Sequence, residues 1–428
     1  MASERIKQLQ RFLDASRSTY HAVEGLRQQL EAQGYTRLDE AAAWELIPGG
    51  KYYLTRGGSA VLAFRIPTRE PQGFLMTASH SDRPSFKIKE NGELESKYTR
   101  LATERYGGML MAPWLDRPLS VAGRVLVETE NGAETRLLDI DRDLMLIPNV
   151  AIHMNRKAND GYTYNPTSDT VPVLGTEAAK GKFWSLLEQE AGGKILGHDL
   201  YLYIRQPSTV WGVEEEFLSS AALDDLECAW GCTQGFLESG ESQSIPVLCV
   251  FDCEEVGSSS VQGAASKLLV DTLERICEAR GLDLRRMLSQ SFMMSADNAH
   301  ALHPNHPEYA DAANAPLVNG GVVLKFNAGL RYTTDAVAAA VLRTVCKKAG
   351  VPVQTYYNRA DLPGGSTLGN ISLGQVSVPT ADIGLAQLAM HSCYETAGVR
   401  DAEYLVEAMK AYYSSTLTVT VDGTYSLR

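Results

Sequence analysis

Apolar residues at Ile6, Leu9, Phe12 and Leu13 recur at helical spacing, predicting an opening helix and then a second one that ends at Gly34. The period then shortens. Tyr52 to Leu54, Ala60 to Ile66 and Phe74 to Ala78 read as strands, and the last of these stops abruptly at Ser79-His80-Ser81-Asp82. A strand that runs into polar residues at its carboxyl end is where open α/β sheets place their sites.

From about Phe86 to Ser219 the pattern changes. Gly, Pro and β-branched residues dominate, Val125 to Gly132 carries a hairpin signal, and long helical periodicity is confined to Lys180 to Glu190. Strands and helices then alternate. Helices are expected from Leu223, from Val261, over Asp335 to Lys348 and from Glu403; strands over Val247 to Phe251, Ser291 to Ser295 and Val322 to Phe326. Such alternation predicts a mixed, largely parallel sheet sandwiched by helices. The economical reading is an α/β domain made of both chain ends, 1–85 and 220–428, interrupted by a β-rich domain over 86–219.

Composition narrows the class. At 428 residues the chain exceeds what one simple core organises, and 44% hydrophobic with 21% charged residues is ordinary for a globular protein. No apolar run reaches the roughly 20 residues that span a bilayer. The segment from Met1 to Ile6 lacks the apolar stretch of a secretory signal, so a cytoplasmic protein without membrane partners is expected. The net charge of −12 argues against a nucleic-acid partner, which would want a basic surface. Seven scattered cysteines do not form a disulfide framework; Cys228 and Cys232, one helical turn apart, read as buried thiols rather than half a zinc site.

Five short blocks then place metal-competent side chains just beyond predicted strands or at helix starts. They hold His80 and Asp82, Asp224 and Asp225, Glu254 and Glu255, Asp297, and His391. Each alone is weak, because a strand-end Asp is usually a cap and adjacent glutamates are usually a surface pair. Together they make a set. Imidazole and carboxylate donors suit zinc, or manganese and cobalt, whereas a structural zinc would favour thiolates. Two cations about 3.5–4 Å apart need a bridging carboxylate and terminal ligands on each, five in all. One further carboxylate must take a proton from the attacking water. Neighbouring side chains point in different directions, so Glu254-Glu255 can divide these two tasks. Asp82 is placed to hold the other ring nitrogen of His80.

These blocks resemble, in this order along most of the chain, those of the M18 family of metallopeptidases, the aspartyl aminopeptidases. The likeness runs from Thr77-Ala78-Ser79-His80 through Trp114-Leu115-Asp116-Arg117, Ala151-Ile152-His153, Glu254-Glu255-Val256-Gly257-Ser258 and Met294 to Asn305, ending at Gln387 to Ser392. The resemblance implies a zinc aminopeptidase-like fold whose inserted domain makes dimers that assemble into a dodecamer. It implies two divalent ions per subunit, with Asp224 bridging, His80 and Asp297 completing one site, and Glu255 and His391 the other. Glu254 would be the general base and Asp82 would orient His80. His153 would reach a partner's active site, and Lys325 would meet the acidic side chain of the substrate. The expected reaction is hydrolysis of the N-terminal peptide bond of peptides with a free N-terminus, with preference for Asp or Glu. A two-metal aminopeptidase of broad or neutral specificity, or an idle assembly protein of the same fold, are the rivals. Two departures are visible: Cys253 stands where many members have Asn, and Pro363 to Gly369 lacks a Cys common before Gly-Ser-Thr.

Other motifs are bland. His300 and His303 read as supporting residues, and His306 as a surface residue. Ser258-Ser259-Ser260 reads as a helix cap, lacking the Gly-x-Ser-x-Gly elbow of a nucleophile. Gly364 to Thr367 is too short for a phosphate loop and reads as a tight turn.

Overall fold

The computed structural model describes residues 3–94 and 96–428. The apolar runs come together in a nine-stranded sheet. At its centre Ser244–Phe251, Gly73–His80 and Phe292–Ala296 lie side by side and parallel, with Phe251 opposite His80 and Ser295 opposite Ala78. Thr380–Gly384 continues the parallel run; Val322–Phe326 is antiparallel to it and parallel to Val353–Tyr357. On the other flank Ala60–Arg65 runs antiparallel to Ser244–Phe251. This is the mixed, largely parallel sheet that the alternation predicts.

Burial on both faces explains why these strands read as unbroken apolar runs. Leu75, Leu248, Val250 and Met294 enter one core with Ile6, Leu26, Trp230, Leu342 and Leu405 from five helices: Glu4–Ala15, Thr19–Ala32, Leu223–Glu238, Ala336–Ala349 and Val399–Tyr413. Their neighbours Phe74, Met76, Val247, Cys249 and Met293 face a second core, with Leu269 and Leu273 of Leu268–Arg280. Each fully buried Leu or Phe contributes about 1.5–3 kcal/mol, so the central strands are held from both sides. Side chains fix two helix starts: Ser3 accepts from the Ile6 amide at 3.2 Å and Asp335 from the Ala338 amide at 2.8 Å. Among the described residues, no helix is long and apolar enough to cross a membrane. All seven cysteines are free, and six are buried.

Two expectations differ. The helix expected from Val261 begins at Leu268. Before it the chain forms a short 3-10 turn, Glu254–Val256, and folds back on itself so closely that a Cβ on Gly263 would lie 2.2 Å from the Ser258 carbonyl oxygen. Ser258, at φ +59°, is therefore part of a compact turn and not a helix cap. The closing helix starts at Val399, four residues before Glu403.

Residues 85–204 contribute a separate six-stranded sheet: Gly132–Asp139, Leu119–Thr129, Ile195–Ile204, Ser85–Leu94, Tyr98–Tyr106 and Val173–Thr176, in that spatial order. The hairpin closes with Thr129 opposite Gly132. Its core gathers Phe86, Trp114, Val121, Leu200 and Leu202, covered by helix Lys182–Ala191. A third sheet joins Thr209–Trp211, Phe217–Ser220, Glu395–Gly398, Ala386–Leu388 and Ala299–His300. It sets Ser220 opposite Glu395, so the start of helix Leu223–Glu238 meets the loop carrying His391.

Candidate metal centre

The three central parallel strands end together, and their carboxyl ends deliver most of the cluster. His80 is the last residue of its strand, Glu254 and Glu255 form the turn just past Phe251, and Asp297 follows Ala296 directly. Asp224 enters from the first turn of Leu223–Glu238, where Asp224 and Asp225 depart from helical geometry. His391 comes from the loop after Ala386–Leu388, at φ +65°.

The structure brings all five candidate ligands into one cluster. His80 Nε2 lies 3.6 Å from Asp224 Oδ1 and 4.0 Å from Asp297 Oδ1. His391 Nε2 lies 3.3 Å from Asp224 Oδ2 and 3.4 Å from Glu255 Oε2. Asp224 thus turns one oxygen to each imidazole. Ligand-competent atoms within 4.8 Å of one another group as His80, Asp224, Asp225 and Asp297, and again as Asp224, Glu255 and His391; Glu254 groups with His80 and Glu255.

Carboxylates outnumber imidazoles in the cluster, and their proton affinities shift accordingly. Burial, and after it the surrounding carboxylates against the pull of His80, push Glu254 up to about 8. Burial drives Glu255 and Asp225 well above the usual carboxylate range. Asp297 rises to about 6, burial outweighing the Lys325 ammonium. Asp224 goes the other way: although buried, it is held low by His391 and His80. His391 rises to about 8 because Asp224 overcomes its burial. Asp224 Oδ1 and Glu255 Oε1 are buried without a hydrogen-bond partner among the described residues. Leaving buried carboxyl oxygens so is costly unless a cation meets them, and the donor set of imidazole and carboxylate fits divalent ions of the zinc type.

The supporting contacts go beyond the sequence expectations. Asp82 does face His80, its Oδ1 3.3 Å from Nδ1. Its carboxylate also accepts the amides of Glu254 and Glu255, each at 3.1 Å, and the Tyr106 hydroxyl at 2.7 Å. Asp225 Oδ2 accepts the His80 amide at 3.1 Å. Buried Glu395 accepts the His391 amide at 2.7 Å and the Asp224 amide at 3.0 Å, one on each oxygen. Glu395 and Tyr106 were missed because both act through backbone or a distant strand, which no local motif records. Glu395→Gln has one oxygen where two are used, so one amide will face an NH2 group. We expect zinc affinity, titrated against a competing chelator, to fall about 10–100-fold.

Lys325 is buried and does not snorkel to the surface. Its Nζ donates to the Asp297 carbonyl at 2.7 Å and the Asn298 carbonyl at 3.3 Å, and lies 3.8 Å from Asp297 Oδ2. The Tyr332 ring is 5.2 Å away. His153 is exposed in the segment between Gly132–Asp139 and Val173–Thr176, and is not among the side chains gathered at the cluster. Beyond Met390 opens a cavity of about 520 Å³, lined in part by His300, His303, His306, Arg359 and the Gly364-Gly365 turn. Cys253 occupies φ +63°, a region Asn tolerates better than most residues.

Residues 12–413 match the family model described as aminopeptidase I zinc metalloprotease (M18). The chain belongs to the M18 family. It is a metalloaminopeptidase, a hydrolase. Among its M18 relatives, the probable M18 family aminopeptidase 2 of Clostridium novyi is 41% identical over 419 residues, covering 94% of this chain and 97% of that protein. The fold is similar to that in the cryo-EM structure of the Ape4 and Nbr1 complex, with a TM-score of 0.92 and 34% identity, covering 96% of this chain and 85% of that one. It is also similar to the S. cerevisiae mApe1 dodecamer, with a TM-score of 0.85 and 25% identity, covering 96% of each chain.

Proposed function

We propose that this M18 aminopeptidase removes N-terminal Asp or Glu from peptides at a centre of two divalent ions, zinc in the first instance. The observation that carries the two-ion reading is Asp224, whose two oxygens face His80 on one side and His391 on the other. His80 and Asp297 would hold one ion, Glu255 and His391 the second, with Asp224 between them. When bound, the ions would supply Lewis acidity to the scissile carbonyl and to the attacking water. Glu254 takes the proton of that water on its carboxylate and returns it to the leaving amine. Asp82 holds the turn that aims Glu254.

Two features support the acidic preference. Lys325 is a buried cation beside the Asp297 end of the cluster, and the cavity beyond Met390 carries imidazoles and Arg359. The test is a panel of N-terminal residues on the zinc-loaded enzyme: faster cleavage of Asp and Glu than of Leu or Ala supports the reading, and equal rates return the broad-specificity rival. Lys325→Ala should lose Asp and Glu substrates preferentially, by about 10-fold or more over any common loss. A common loss is expected as well, because Nζ also fixes the backbone of Asp297. Equal losses on Asp and Leu substrates would confine Lys325 to that second task.

The 86–219 segment, in this proposal, makes the dimer, and His153 enters the partner's active site. The exposed side chains of Val150, Ile152 and Met154 around it support a covered surface there. A dodecamer, the state in which mApe1 is described, is the assembly proposed for this chain.

A further inference from the structure

We infer that Tyr106, which belongs to the six-stranded sheet, is a positioning residue for the Glu254-Glu255 turn, and that the strap Tyr106–Leu110 fastens that sheet to the metal centre of its own chain. The inference rests on the two-ion reading above.

Tyr106 closes strand Tyr98–Tyr106, opposite Ser85. From there the chain leaves its sheet and passes over the cluster, touching it at three places. The Tyr106 hydroxyl donates to Asp82 Oδ2 at 2.7 Å. The same carboxylate receives the Glu254 and Glu255 amides, so one phenol proton helps set the rotation of the group on which the whole turn hangs. Gly107, at φ +77°, lies so near that a Cβ there would be 3.1 Å from Glu255 Cβ. The Leu110 amide then donates to the His391 carbonyl at 3.0 Å. Asp82, Glu255 and His391 come from three separate stretches of the chain outside the six-stranded sheet, and this strap meets all of them.

The physical consequence is geometric. Without the phenol, Asp82 keeps its two amides and His80 but loses one of the two donors on Oδ2, so the carboxylate and the Glu254 turn it holds can shift. A misplacement on the order of 1 Å at a catalytic group costs roughly 10²-fold. The Tyr106 ring itself packs edge-on against Tyr201 at 5.5 Å, so its removal to Phe leaves the packing in place.

The experiment uses the full-length, zinc-loaded protein as Tyr106→Phe, with Tyr201→Phe as the packing control. Turnover and KM are measured separately on an N-terminal Asp substrate, zinc release is followed with a chromogenic chelator, and Tm is recorded. Tyr106→Phe should lower kcat about 10–100-fold with KM within about twofold, and release zinc several-fold faster, at an unchanged Tm. Tyr201→Phe should match the wild type in each measurement. Wild-type kcat and zinc release in Tyr106→Phe would overturn the inference, as would equal losses in both variants accompanied by a fall in Tm. Failure of the two-ion reading would look different, as a wild-type protein that retains fewer than two zinc ions before any substitution is made.

Discussion

Glu254→Gln should keep its metal and lose its turnover by roughly 10²–10⁴-fold. The amide is the same size as the acid but cannot accept the proton of the attacking water. Glu254 stands in the cluster beside His80 and Glu255, yet the imidazole-to-carboxylate contacts around the two proposed ion pockets use Asp224, Asp297 and Glu255. Metal content per chain should therefore stay at the wild-type value, and KM should change little. The effect separates two roles within one turn: Glu255→Gln should lose zinc first and activity as a result. Wild-type turnover in Glu254→Gln would remove it as the base and leave the pocket without a proton carrier.

Asp224→Asn should be the second severe change, and for a different reason. Each oxygen of Asp224 faces a different imidazole, and both ions would draw on its charge. The amide offers one weakly basic oxygen, so neither pocket is complete. Bound ions stabilise the transition state by several kcal/mol, and losing that is expected to lower activity at least about 10³-fold. Elemental analysis should find well under two ions per chain. Chelator treatment of the wild type should reproduce the loss, and re-added zinc should restore activity to the wild type but not to Asp224→Asn. A fall in thermal stability on stripping is also expected, since an ion at a hundred times its dissociation constant contributes about 2.7 kcal/mol to the folded state.

Much of this molecule can be read from its chain. The central strands are legible because burial on both faces demands unbroken apolar runs such as Phe74 to Ala78 and Val247 to Phe251. The cluster is legible because its members stand where such runs end. The stretch between Glu254 and Lys267 is not, because it is shaped by the chain doubling back at Gly263, a long-range packing fact without periodicity. Glu395 carries no motif in the sequence, and only the third sheet, which sets Ser220 opposite it, gives it two amides to hold. Lys325 looks like an interruption of an apolar strand; its meaning lies in two carbonyl groups contributed by residues 297 and 298. Tyr106 is the furthest from legible, being one of 19 tyrosines in a segment with no catalytic signature.

The cluster draws its members from position 80 to position 391, and this has a consequence for how the chain is made. Its five stretches, at residues 80, 224–225, 254–255, 297 and 391, are widely spaced along the sequence. An emerging chain therefore cannot assemble the whole cluster until nearly all of it has left the ribosome and the central strands have closed long loops, which is the slow part of folding for such topologies. Zinc loading should thus trail native structure in time. Refolded chain should gain its helical and aromatic signals before it takes up stoichiometric zinc.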